Sequence, residues 1–253
     1  MSKQIPLLAI ITLGLLLNTA IVIADSTLVA VASNFTKPMT EIAESFEKAT
    51  GHSAKLSFGS TGKFVSQIQN GGPFEILLAA DETAPALLEK EGYVVSGTRS
   101  TYALGKLALW SATPGYVDAE AKILKTGSFK HIAIADPKLA PYGAAAVDYL
   151  TKQGLLEKTQ PLMVLGENIT QTQQFISTGN AELGFVALSQ IIENGKIGSG
   201  SGYIIPSNQY ASIRQGVALL TNGTENPAAI ALLAYLKSAP ALAIIQKYGY
   251  DLP

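Results

Sequence analysis

The residues of this chain best suited to chemistry are small hydroxyls and amides, placed where strand-like stretches run into helix-like ones. Ser57-Phe58-Gly59-Ser60-Thr61-Gly62-Lys63 follows the strand pattern Ala54 to Phe58 and precedes a helical pattern at Phe64, Val65 and Ile68. Val31-Ala32-Ser33-Asn34 repeats the arrangement earlier, after the buried-strand pattern Leu28 to Val31. Two later turns, Ala140-Pro141-Tyr142-Gly143 and Gly166-Glu167-Asn168-Ile169, stand in the same kind of position. Such turns leave backbone N–H groups aimed at one point, and the helix dipole makes that point attractive to an anion. The donors on offer are the hydroxyls of Ser33, Ser60 and Tyr142, the amide of Asn34, and backbone N–H groups; no arginine or histidine lies in these turns. Each lone pair of a dehydrated oxyanion needs a donor. A set made only of donors therefore suits a fully ionised tetrahedral oxyanion and disfavours phosphate, whose proton needs an acceptor. The rival reading is that Ser33, Asn34 and Ser60 merely cap helices, as these residue types usually do.

Other chemistries fit poorly. The 253 residues include no cysteine, which excludes disulfides, thiolate metal sites and a cysteine nucleophile. His52 and His131 lie apart, each without a second ligand near it, so a metal site is not expected. Asp81 and Asp136 follow strands and are read as turn-fixing or capping groups. Gly59 to Lys63 departs from a phosphate-binding loop, with Phe64 where Ser or Thr is required and Ser57 where the first Gly belongs. Neither Ser33 nor Ser60 sits in a Gly-x-Ser-x-Gly elbow, so a hydrolase is not expected. A formal net charge of −1 argues against a nucleic-acid partner.

The elements that position these turns follow from periodicity. Residues 1–24 read as a cleaved export signal, with Lys3 before an apolar run from Ile5 to Ile23 and a cut ahead of Asp25. An uncleaved anchor is the rival there. In the following chain, Phe35, Met39, Ile42, Phe46 and Ala49 fall on one face of a helix spanning about 36–49, ended by Gly51. Strands at 54–58 and 75–80 then alternate with helices, which predicts a parallel sheet covered on both faces. A strand at 102–110 leads to a second α/β run. Its helices are expected over 119–126 and 144–153, and its strands over 131–135, 163–165 and 183–188. Residues 203–206 begin the return, a strand over 213–220 leads back, and helices at 227–238 and 241–248 close the chain. The expected division is residues 25–103 with 214–253 as one domain and 104–213 as the other. Two doubly wound α/β domains joined by two hinge crossings enclose a cleft, and the four turns lie at strand ends, where open α/β sheets bind ligands.

The order and spacing of Val31-Ala32-Ser33-Asn34, Ser57 to Gly62, Ala79-Ala80-Asp81, Ala135-Asp136-Pro137, Ala140 to Gly143, Glu167-Asn168-Ile169, Leu183 to Ala187 and Lys247-Tyr248-Gly249-Tyr250 resemble those of the periplasmic molybdate-binding proteins of bacterial ABC importers. The resemblance covers nearly all of the chain after the signal. It implies a type II periplasmic-binding-protein fold that closes on molybdate or tungstate and serves a membrane permease; no catalysis and no cofactor are expected, and a monomer is the default. Carried over, Ser33 and Ser60 would donate hydroxyls, Asn34 and Ser60 backbone N–H groups, Tyr142 its hydroxyl and Ile169 its backbone N–H. Several family members have a tyrosine where this chain has Ala187; Tyr142, from another loop, would replace that donor. A binding protein for another oxyanion, such as sulfate, is the alternative.

Overall fold

The structure is a computed structural model that describes residues 25–253; the export-signal reading of residues 1–24 lies outside them. The chain opens with β1 (Ser26–Ala32), a 3-10 turn (Ser33–Phe35), α1 (Thr36–Thr50), β2 (Ser53–Gly59), α2 (Thr61–Gln69), β3 (Ile76–Leu78), α3 (Thr83–Lys90) and β4 (Ser100–Gly105). Next come β5 (Leu107–Ser111), α4 (Ile123–Thr126), β6 (Ile132–Ala135), α5 (Pro141–Lys152), α6 (Leu156–Thr159), β7 (Met163–Gly166), α7 (Ile169–Ser177), β8 (Leu183–Ala187) and α8 (Leu188–Ile191). A small hairpin of β9 (Ile192–Glu193) and β10 (Lys196–Ile197) precedes β11 (Ser201–Ile204). β12 (Ile213–Leu219), α9 (Pro227–Tyr235) and α10 (Ala239–Lys247) complete the chain.

Two five-stranded sheets form two α/β domains. The first sheet has the order β2-β1-β3-β12-β4 and the second β11-β5-β8-β6-β7. β1 runs parallel to β2 and β3, as alternation predicts, but β12 is antiparallel to β3 and β4. The second sheet is mixed as well: β6 is parallel to β7 and β8, while β5 is antiparallel to β8 and β11. The expectation of a parallel sheet thus holds only for strands linked by crossover helices. Strands that cross between sheets are under no such constraint.

The predicted strand at 102–110 is in fact two. It breaks at Lys106, where the chain leaves the first sheet for the second. In α1, Met39, Ile42 and Phe46 are fully buried under the first sheet, whereas Ala49 in the last turn is exposed. Gly51 ends the helix in the left-handed conformation, φ 77°, which an L side chain rarely adopts. The carboxyl end packs on the first domain: Leu104 and Asp251 exchange backbone hydrogen bonds of 2.8 and 3.1 Å, and Tyr250 is buried in that core.

Candidate functional site

The first domain contributes two turns. β1 ends at Ala32, and Ser33 and Asn34 open the 3-10 turn ahead of α1, before any intrahelical acceptor is available to their N–H groups. The N-cap position of this turn is Ala32, so Ser33 lies inside the turn rather than capping it. The Asn34 amide turns away from the turn, its Nδ2 donating to Gln215 Oε1 at 2.7 Å and to Tyr250 Oη at 2.9 Å. Its carbonyl accepts from Ser189 Oγ and from Tyr250 Oη, each at 2.8 Å. The expectation that the Asn34 amide faces a ligand is therefore corrected; those bonds occupy it, and what Asn34 can offer is its backbone N–H. At the second turn Ser60 occupies the N-cap position of α2 with extended backbone, φ −78° and ψ 147°, yet its side chain caps nothing. Ser60 Oγ is buried without a hydrogen-bond partner among the described residues. Thr61 anchors this turn, its Oγ1 accepting from the Ala80 N–H at 3.0 Å.

The second domain supplies the other two turns. α5 begins at Pro141, earlier than the predicted 144, because proline's missing N–H and fixed φ suit a first helical position. Tyr142 therefore lies in the first turn of the helix and is 2% exposed. A Cβ on Gly143 would overlap the Ala135 carbonyl, so glycine lets α5 approach β6 closely at this point. The Tyr142 hydroxyl accepts from Gln215 Nε2 at 3.4 Å. Burial first, then the neighbouring phenols of Tyr250, Tyr210 and Tyr102, push Tyr142 well above the ordinary tyrosine value, so it keeps its proton. At α7, Asn168 Oδ1 accepts from the Thr170 and Gln171 N–H groups, both at 3.0 Å. That cap passes over the Ile169 N–H, the first of the helix.

Ser33, Asn34, Ser60, Tyr142 and Ile169 all line one small cavity, together with Ala32, Gly59, Thr61, Ala80, Ala140 and Pro141. The cavity is small and is lined by residues of all four turns. None of the lining residues is charged. Ala187 is not among them, and its N–H donates to Gln190 Oε1 at 3.0 Å. A groove of about 800 Å³ shares Thr61, Ala80, Ala140 and Pro141 with the cavity; its wall carries Asp81, Asp148 and Lys138, in contrast to the uncharged lining of the cavity. Asp81 and Asp136 fix turns, accepting from the Ala84 and Lys138 N–H groups at 2.7 and 2.9 Å. His52 accepts from the Asp25 N–H, and no group of three or more metal-ligating side chains occurs among the described residues. Thr61 belonged to the turn marked in the sequence, though not as a named donor; Gln215 was not legible, its only signal being a polar residue inside an apolar strand pattern.

A fold of two α/β domains with donor-lined turns meeting between them defines a solute-binding protein. The chain belongs to the bacterial extracellular solute-binding protein family, whose model matches residues 27–251. Within that family its relatives include the molybdate-binding protein ModA of Azotobacter vinelandii, 58% identical over 88% of this chain and 89% of the relative. ModA of Rhodobacter capsulatus is 48% identical over 95% and 92%. A solved periplasmic molybdate-binding protein of Azotobacter vinelandii superposes with a TM-score of 0.87 at 40% identity, covering 90% of this chain and 99% of that one. These likenesses bear out the resemblance drawn from the sequence.

Proposed function

We propose that this chain captures molybdate and tungstate in the cleft between its two domains and delivers them to the permease of an ABC importer. The observation that carries the reading is the buried, unpartnered hydroxyl of Ser60, in a residue that lines a small cavity of uncharged groups. An unpaired buried hydroxyl is costly, and a bound oxyanion removes that cost. The names and the extent of the relatives support molybdate as the ligand. In this reading Ser33 and Ser60 donate hydroxyls, Asn34, Ser60 and Ile169 donate backbone N–H groups, and Tyr142 donates its phenol proton. Two domains, residues 25–103 with 214–253 and residues 104–213, move about the chain crossings next to β4 and β12. The open form takes the anion on the first domain's turns. The second domain then closes with Tyr142 and Ile169, because the closed state has the better contacts. The protein is exported after removal of residues 1–24, works in the periplasm as a monomer, and binds without catalysis.

Thermal unfolding of the mature protein with molybdate, tungstate, sulfate or phosphate tests this. Molybdate and tungstate are expected to raise the midpoint by mass action, and sulfate and phosphate are not. Ser60→Ala should weaken molybdate binding by about 1.5–3 kcal/mol, since it deletes a donor to a charged group. No rise with any oxyanion would sink the reading. A rise led by sulfate would replace the ligand while keeping the site.

A further inference from the structure

We infer that Gln215, on β12, fixes Tyr142 as a hydrogen-bond donor and thereby sets the site's preference for unprotonated oxyanions. The inference rests on the anion-binding reading above. Gln215 is fully buried, and its amide orientation is dictated by its neighbours. Oε1 accepts from Asn34 Nδ2 at 2.7 Å and from Tyr102 Oη at 2.8 Å. With the oxygen engaged on that side, Nε2 is presented to Tyr142 Oη at 3.4 Å. The amide nitrogen carries only hydrogens, so the phenol oxygen must receive one and must turn its own proton elsewhere. Of the neighbouring phenols, Tyr102 donates to Gln215 Oε1. Tyr250, which also shares a hydrogen bond with Tyr142, already accepts from Asn34 Nδ2 and lies within donating distance of the Asn34 carbonyl and Ser189 Oγ. A bound anion, as a charged acceptor, is therefore the stronger claimant on the Tyr142 proton. Gly105 closes the remaining side. A Cβ there would overlap the Tyr142 hydroxyl and stand 2.8 Å from Gln215 Nε2.

The consequence is chemical. A phenol whose lone pair is engaged by an amide N–H offers its proton to the cavity rather than an acceptor. A dianion without protons can accept that proton at any of its oxygens. Hydrogen phosphate would set its own O–H against the phenol O–H, with one of the two left unpaired in a buried site. Gln215 is thus a positioning residue: it acts on the ligand through Tyr142, and Gly105 keeps the space in which the pair meets.

The test is titration calorimetry of the mature protein with molybdate and with inorganic phosphate. It compares the wild type, Gln215→Met, Tyr142→Phe, the double variant, and Gly105→Ala. Gln215→Met keeps the side chain's length and removes both polar atoms. It is expected to weaken molybdate about tenfold and to narrow the preference for molybdate over phosphate. In the Tyr142→Phe background the same change should alter that preference no further, because the phenol it acts through is gone. Gly105→Ala should narrow the preference in the same direction, and it decides the matter if Gln215→Met does not fold. An unchanged preference, or an equal effect of Gln215→Met with and without the phenol, would overturn the inference alone. A wild type that bound no oxyanion would overturn the functional reading with it.

Discussion

Serines that open helices usually cap them, yet Ser60, at the N-cap of α2, caps nothing, and Ser33 lies one residue inside its turn. At Ser60 the hydroxyl is withheld from the backbone and buried, and nothing among the described residues completes it. Tyrosine is the other residue type with a special position. Tyr102, Tyr142 and Tyr250 meet around Gln215, and in each case burial is the first cause that raises the phenol above its ordinary value near 10. A raised folded-state value means that the folded protein holds protons which the unfolded chain releases. The stability from these phenols is therefore complete below about pH 10 and is lost as pH climbs toward the raised values. In an absorbance titration of tyrosinate, these three should stay silent until the protein unfolds in alkali. Their ionisation in a still-folded protein would disprove the burial argument. Little of this cluster was legible beforehand. Tyr142 was marked by its turn, but Gln215 and Tyr102 lie in strands, and only the tertiary fold brings them to Asn34.

Elements show a similar division between what local pattern encodes and what assembly decides. α1 was readable because its apolar spacing is helical and Gly51 stops it. The break at Lys106 was not, since apolar residues run on both sides of it and a change of sheet has no local signature. The direction of β12 was hidden for the same reason. α5 begins three residues before its predicted start, although Pro141 carried the signal for a first helical position. α7 offers a direct test of how a helix start serves the site. Asn168 Oδ1 holds the Thr170 and Gln171 N–H groups, and the Ile169 N–H is not part of that cap. Asn168→Ala should cost about 1 kcal/mol of stability, a fall of roughly 2–4 °C in the unfolding midpoint for a chain of this size. It should also weaken molybdate binding, because a frayed first turn no longer aims the Ile169 N–H. A stability loss with unaltered affinity would remove Ile169 from the proposed donor set.

On the scale of the whole molecule, elements of the two sheets are tied to each other by hydrogen bonds near the cavity. The Gly62 N–H donates to the Leu139 carbonyl at 2.9 Å, Lys37 Nζ donates to the Gln190 carbonyl at 2.8 Å, and Ser189 Oγ donates to the Asn34 carbonyl at 2.8 Å. Lys63 and Glu167, adjoining the second and fourth turns, form an ion pair of 2.6 Å. Buried bonds and this surface pair should not weigh equally in closure. The Lys63 and Glu167 side chains remain 45% and 43% exposed, so water and salt screen their attraction. Such a pair contributes about 0.2–1 kcal/mol, which is at most roughly a fivefold change in affinity. Lys63→Ala should therefore weaken molybdate binding only slightly at low ionic strength, and less still in about 0.5 M salt. The loss in Ser60→Ala should persist at either ionic strength, because its donor acts inside the cavity. If Lys63→Ala instead cost more than about tenfold at both ionic strengths, the lysine would be the anion's own counter-charge. Recognition by neutral donors alone would then have to be abandoned.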